Sequence, residues 1–155
     1  MLSLAHFGFV VTNLEKSLAF YQGLLGLELI GTTEREGEDI SRIVGLPGVR
    51  LKAAFLRFPP DGPSMELIQY LSPEGTPVDT LPCNAGNGHI AFRTEAIHTV
   101  HAELVAKGIR LKGEPVKIES GINKGGWAIY FQDPDGISLE LWQPPARGLL
   151  AKTRP

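Results

Sequence analysis

Internal repetition constrains this chain more than any other feature, because whatever it folds into must hold two copies of one pattern. His6-Phe7-Gly8-Phe9 returns as His89-Ile90-Ala91-Phe92, and Gly62-Pro63-Ser64-Met65-Glu66-Leu67 returns as Gly136-Ile137-Ser138-Leu139-Glu140-Leu141. Each copy opens on a histidine in an apolar, β-rich run and closes on a glutamate four residues past a glycine. The separations are 60 residues from His6 to Glu66 and 51 from His89 to Glu140. The longer first interval is absorbed by Glu34–Gly48, which is charged and then glycine-rich.

The stretches between these landmarks predict the same succession twice, β-α-β-loop-β-turn-β. Ser3–Val11 reads as a strand whose alternation sets Leu4, His6, Gly8 and Val10 on one face and Phe7, Phe9 and Val11 on the other. Thr12-Asn13-Leu14-Glu15 fits a capping box with Thr12 as the cap, and Leu14, Leu18, Tyr21 and Leu25 form one stripe of the helix that follows. Gly26 ends it, and Leu27–Thr33 leaves as a strand. Glu34–Gly48 is expected as a loop with a short helix at Asp39–Val44, then strands at Val49–Phe58 and Ser64–Tyr70 around the turn Pro59–Pro63. Ser72–Asn87, rich in proline and polar residues, is the linker. In the second copy Gly88–Arg93 is a strand, Thr94 caps a helix with Ile97, Val100 and Leu104 on its buried side, and Gly108 closes it. Ile109–Val116 is expected as a strand and Glu119–Gly126 as a loop. A hairpin then joins Trp127–Gln132 to Ile137–Trp142 through Asp133-Pro134-Asp135-Gly136, where Pro fixes φ and Gly accepts a positive one. The chain thus divides into one domain over residues 1–144, made of modules at about 1–72 and about 87–144, and a tail over 145–155.

Composition removes several function classes. With 43% hydrophobic and 21% charged residues, 155 residues can bury a real core. A net charge of -2, spread along the chain, offers no footprint for nucleic acid and no polybasic membrane patch. No apolar run reaches the length of a membrane span, and the start has no basic n-region or h-region. The one cysteine, Cys83, cannot close an internal disulfide, so a reducing cytoplasm is the expected compartment.

The chemistry lies in the repeated pair. Glu140 sits between Leu139 and Leu141, and a carboxylate on an inner strand is costly to bury unpaired. The repeat gives it a twin, Glu66, and two imidazoles, His6 and His89. Two imidazoles and two carboxylates gathered at one centre suit a divalent transition metal such as Zn, Ni, Co, Mn or Fe, and leave room for a chelating substrate. Gly8 and Ala91 follow the histidines on the same strand face, and Ser64 and Ser138 precede the glutamates, so the neighbours are small. No thiolate joins the set, which argues against a structural zinc knot. His98 and His101 lie three apart on the second helix and read as a solvated face. Cys83 before His89 lacks a third group to orient a nucleophilic pair. Phe20, Tyr21, Trp127 and Trp142 stand at core spacings, the loop Gly121–Gly126 lacks the helix a phosphate loop needs, and Lys124 within it reads as solvated.

These residues resemble the vicinal oxygen chelate superfamily, which includes glyoxalase I, methylmalonyl-CoA epimerase, extradiol dioxygenases, and fosfomycin and bleomycin resistance proteins. The resemblance is carried by Leu4–Val11 with Leu18–Leu27, and by Phe131–Gly136 with Leu139-Glu140-Leu141, and it covers about residues 2–144. It implies an α+β fold of two βαβββ modules, an open eight-stranded mixed-sheet cup around a metal, commonly in a homodimer. The implied ligands are His6, Glu66, His89 and Glu140, a set like that of bacterial glyoxalase I. Extradiol dioxygenases use two His and one Glu, and bleomycin-binding proteins lack the ligands. Val44–Gly48 and Glu66–Pro73 look closer to the epimerases, yet the second catalytic glutamate of methylmalonyl-CoA epimerases has no counterpart at Pro47, Gly48 or Val49.

The expected activity is that of a metal-dependent isomerase or lyase of glyoxalase or epimerase type. It would move a proton next to a carbonyl of a small oxygenated substrate through a metal-chelated enediolate, with Glu140 or Glu66 as base. The rivals are an Fe(II) ring-cleavage dioxygenase using His6, His89 and Glu140, and a non-catalytic ligand-sequestering protein of resistance type.

Overall fold

The computed structural model describes residues 2–146. It divides into two compact units, Met1–Val78 and Asp79–Pro155, and each is considered by itself.

The first unit is a four-stranded mixed sheet in the order β1-β4-β3-β2: β1 His6–Val10, β2 Glu28–Glu36, β3 Arg50–Arg57 and β4 Ser64–Ser72. The outer pair β1–β4 is parallel and the others are antiparallel. A parallel neighbour needs a crossover longer than a hairpin turn, and the first helix α1, Leu14–Leu18, lies in it. It packs on β3 and β4. The face it covers is the odd side of β4, where Met65 and Leu67 are fully buried. On the opposite face, at the far end of the sheet, helix α2 at Glu38–Val44 sets Ile40 against Val49, Leu51 and Ala53, with Ile68 and Tyr70 beside them.

The second unit repeats the plan with β5 His89–Arg93, α3 Ile97–Ala106, β6 Val116–Lys117, β7 Trp127–Gln132 and β8 Ser138–Gln143, in the order β5-β8-β7-β6. Its β5–β8 pair is again parallel. Ile97 and Leu104 of α3 are buried on the side of Leu139 and Leu141. The α+β class and the paired four-stranded open sheets thus follow the sequence expectation.

One tie recurs in both units. The Gln69 side chain on β4 accepts a hydrogen bond from the Leu14 amide at 2.9 Å, and the Gln143 side chain on β8 accepts one from the Ile97 amide at 2.9 Å. Each glutamine lies three residues past the unit's strand glutamate, so it points to the helix side of the sheet. It satisfies a first-turn amide that the helix cannot bond itself.

Local departures have local causes. The helix cap is Asn13, whose side chain accepts from the Lys16 amide at 2.9 Å, and not Thr12. Pairing in the β1–β4 ladder reaches Val11, whose amide donates to Ile68 at 2.8 Å, and the helix starts later for that reason. After five α-helical residues the turn widens into a π-helix over Ala19–Leu24. That shift rotates the stripe, so the buried positions are Leu14, Ser17, Phe20 and Tyr21. Strand β2 runs on to Glu36 because its charged end finds cross-strand partners: Arg50 donates to Glu34 at 2.9 and 3.0 Å. Thr94 is one turn short of the helix; its hydroxyl accepts from the Ala96 amide at 3.0 Å, and Ala96 is the cap. Ile109–Val116 is not a strand apart from an isolated bridge between Leu111 and Phe131 and the start of β6. Strand β8 runs one residue past the expected Trp142, to Gln143, and of the expected tail residues 147–155 lie outside the described set. Among the described residues no helix is long and apolar enough to cross a membrane.

Replacing Gln143 with Ala removes the acceptor on the α3 amide, and the unfolding free energy should fall by about 1 kcal/mol. Urea titration would read this as a lower midpoint at unchanged slope.

Candidate functional site

Strand register fixes which side chains meet. In the first unit His6 stands opposite Ser64 and Gly8 opposite Glu66 in the β1–β4 pair, while Phe55 of β3 stands opposite Glu66 from the other side. In the second unit His89 is opposite Ser138, Ala91 opposite Glu140, and Tyr130 of β7 opposite Glu140. Both sheets therefore carry the same row, a small residue, the glutamate and an aromatic ring, with the histidine one pleat back on the same face.

The small residue lets the pair close. A Cβ added to Gly8 would lie 3.5 to 3.8 Å from Glu66, ordinary contact, which is why alanine serves at position 91. His6 Nε2 comes to 3.3 Å from Glu66 Oε2, and His89 Nε2 to 3.2 Å from Glu140 Oε2. The aromatic ring packs on each imidazole: Phe55 edge-on to His6 at 5.6 Å between centroids, Tyr130 tilted against His89 at 5.2 Å. The histidines are about half exposed, whereas the carboxylates sit deeper, Glu66 at 21% and Glu140 at 14% side-chain exposure.

Depth sets the electrostatics. Burial pushes the Glu140 carboxyl above its usual range, and the adjacent His89 only partly opposes this. The Tyr130 phenol is also raised, first by burial and then by the negative charge of Glu140. The donor chemistry fits a divalent transition metal: in each unit an imidazole nitrogen and a carboxylate oxygen face one another, and both are ligand types such ions accept. A bound cation would also offset the burial of the carboxylate. Each unit supplies two donors, and among the described residues no group of three or more His, Cys, Asp or Glu is gathered at one point.

The remaining sequence candidates are placed as follows. His101 is not solvated; it is 8% exposed, with Nε2 2.9 Å from the Gly113 carbonyl oxygen and Nδ1 3.7 Å from Glu114. The turn at Gly113 brings that carbonyl under α3, which the helical spacing could not reveal. His98 is exposed, edge-on to Trp127 at 4.8 Å. Cys83 and Lys124 are exposed. Phe20 and Tyr21 are core. Phe55 and Tyr130 were missed by motif comparison, although counting back through each tight turn from Glu66 and Glu140 would have found them. Trp142, expected as core, lies on the Glu140 side of β8 by strand alternation.

A family model described as the Glyoxalase/Bleomycin resistance protein/Dioxygenase superfamily matches residues 3–141. Among curated relatives, a lactoylglutathione lyase from Haemophilus influenzae is 30% identical over 133 residues, covering 84% of each chain. A 2-epi-5-epi-valiolone epimerase from an Actinomyces species is 29% identical over 147 residues, covering 91% of this chain and 79% of its own. Among solved structures, a glyoxalase family protein from Bacillus cereus superposes with a TM-score of 0.80 at 25% identity, covering 94% of this chain and 96% of that one.

The raised pKa of Glu140 carries a signed consequence. Between the ordinary carboxyl range and the raised value the folded protein binds more protons than the unfolded one, so this group's contribution to stability falls as pH climbs through that window. In chelator-treated protein, Glu140→Gln should therefore be more stable than wild type at pH 7, and the advantage should vanish in acid. Urea midpoints of the two proteins across pH would check it.

Proposed function

We propose a function from one premise: the chain belongs to the Glyoxalase/Bleomycin resistance protein/Dioxygenase superfamily. The proposed activity is proton transfer at the carbon next to a carbonyl of a small oxygenated molecule, by an isomerase or lyase. The observation that carries it is the twin pair, His6 with Glu66 and His89 with Glu140, each within 3.3 Å. Relatives named as a lyase and an epimerase agree in reaction class.

In this reading His6, Glu66, His89 and Glu140 are the residues that would hold a divalent transition metal, Zn, Ni, Co, Mn or Fe. When bound, the ion supplies Lewis acidity to neighbouring substrate oxygens, which acidifies the adjacent C–H. The protein's part is the proton. Glu140 takes it. Tyr130, packed on His89, holds that ring beside Glu140. Glu140 carries the proton and returns it to the neighbouring carbon, and Glu66, the matching carboxylate, is the alternative base. The enzyme acts as a homodimer on a small-molecule substrate.

Elemental analysis of purified protein should find a divalent transition metal, lost in His6→Ala and in His89→Ala. With metal restored, the hemithioacetal of methylglyoxal and glutathione, or a cyclic hydroxyketone, should exchange its α-proton in D2O. Glu140→Gln should slow that exchange by roughly 100-fold or more. No exchange with any such carbonyl compound would sink the proposal. A metal requirement for iron together with oxygen uptake, undiminished by Glu66→Gln, would instead support ring-cleavage chemistry.

A further inference from the structure

The sheet of the second unit carries two polar atoms that the protein itself does not satisfy. Among the described residues, the Ser138 hydroxyl and the Trp142 Nε1 are closed to solvent and have no hydrogen-bond partner. Ser138 as a whole is 4% exposed. A buried donor left unbonded costs about 1–3 kcal/mol, and each such group in a folded protein calls for an explanation.

Their placement supplies one. β8 runs without a bulge against both neighbours, so alternation puts Ser138, Glu140 and Trp142 on one face. The carboxylate stands between two unsatisfied donors, each about 6–7 Å away along the strand. Ser138 is in register with His89, and Trp142 with Arg93. The matching row of the first unit is Ser64, Glu66 and Ile68, and there Ile68 has no donor and packs into the cluster beneath α2. The second unit has no helix corresponding to α2 between its second and third strands. The difference is therefore specific: the third position of the row is a covered aliphatic side chain in one copy and an indole with nothing to donate to in the other.

We propose that Ser138 Oγ and Trp142 Nε1 form a subsite for substrate oxygens on either side of Glu140. The indole N–H only donates, so its partner must be an acceptor oxygen, while the hydroxyl can rotate to donate or accept. Neither group is charged, so both suit hydroxyl and carbonyl oxygens. The ligand class is accordingly a polyhydroxy ketone, with oxygens beyond the neighbouring pair that the metal takes. The subsite rests on the proposed metal reading for the position of the rest of the substrate, but not for its own two contacts.

The test compares two probes on the metal-loaded full chain by titration calorimetry. Erythrulose and 1-hydroxybutan-2-one share a four-carbon chain and the same hydroxyl–carbonyl pair, and only the first has further oxygens. Wild type should prefer erythrulose by about tenfold, the factor that corresponds to 1.4 kcal/mol. Ser138→Ala and Trp142→Phe should each lose most of that preference while binding 1-hydroxybutan-2-one unchanged. Ser138→Ala should fold with stability equal to wild type or higher, since it deletes an unmade bond. Equal affinity of wild type for both probes, failure to bind either, a preference surviving in both variants, or unfolding of Ser138→Ala would each overturn the subsite. Failure of the metal reading would show separately, as binding of 1-hydroxybutan-2-one that is indifferent to removal of the metal, with the erythrulose preference intact.

Discussion

Parallel pairing of the first and last strand of each unit is the constraint from which the rest follows. Residues that are 60 and 51 positions apart in sequence become lateral neighbours only because β4 returns beside β1, and β8 beside β5, in the same direction and register. A slip of one residue would turn every side chain of β4 to the other face. Glu66 would then point at α1, and Met65 would take its place beside His6. The register is held by burial: Met65, Leu67, Leu139 and Leu141 are nearly or wholly enclosed, and moving them to the open face would forfeit that burial. The glutamines three residues past each glutamate add a second lock, tying the same strand to the first turn of the helix behind it.

The carboxylates accept an unfavourable setting as the consequence. Glu140 lies in a row of apolar and aromatic neighbours with one imidazole for company, and its pKa rises because that single partner does not make up for the water lost. A structural ion pair would be arranged otherwise, with a permanent cation such as an arginine, as Arg50 serves Glu34 at the end of β2. Histidine gives up its charge near neutral pH and then presents a lone pair. Imidazole and carboxylate directed at each other without a fixed cation make a poor clamp for the fold and a good half-site for a divalent ion.

Much of this was legible before any coordinates, because duplication turns weak signals into comparisons. A lone strand histidine carries little information, but His6 and His89 at matching places, each followed two residues on by Gly8 or Ala91, specify a shared face. The hairpin through Asp133–Gly136, with Gly136 at φ +83°, was equally plain from its turn residues. What stayed hidden depended on contacts made at a distance or on local choices of nearly equal energy. His101 looked solvated because the carbonyl that accepts it belongs to Gly113, twelve residues on, in a segment without regular structure. Thr12 and Asn13 are both good caps, and extension of the β1–β4 ladder to Val11 decided between them. The widening at Ala19–Leu24 has no sequence signature that helical periodicity can detect.

A repeat also exposes what selection has not kept equal. The two rows share histidine, small residue, glutamate and ring, yet differ around that frame: phenylalanine against tyrosine, Ile68 against Trp142, a covering helix against a loop. Each difference runs the same way, toward hydrogen-bonding capacity and a more deeply buried carboxylate in the second unit. Under the proposed metal reading, the imidazole and carboxylate of each pair have little freedom to change in either copy. Residues that meet the organic part of a ligand need serve on one side only, and one half of a duplicated fold can specialise while the other preserves the frame. The second unit, with Glu140 raised above the ordinary carboxyl range by burial and its unsatisfied Ser138 and Trp142, has the character of the half that specialised.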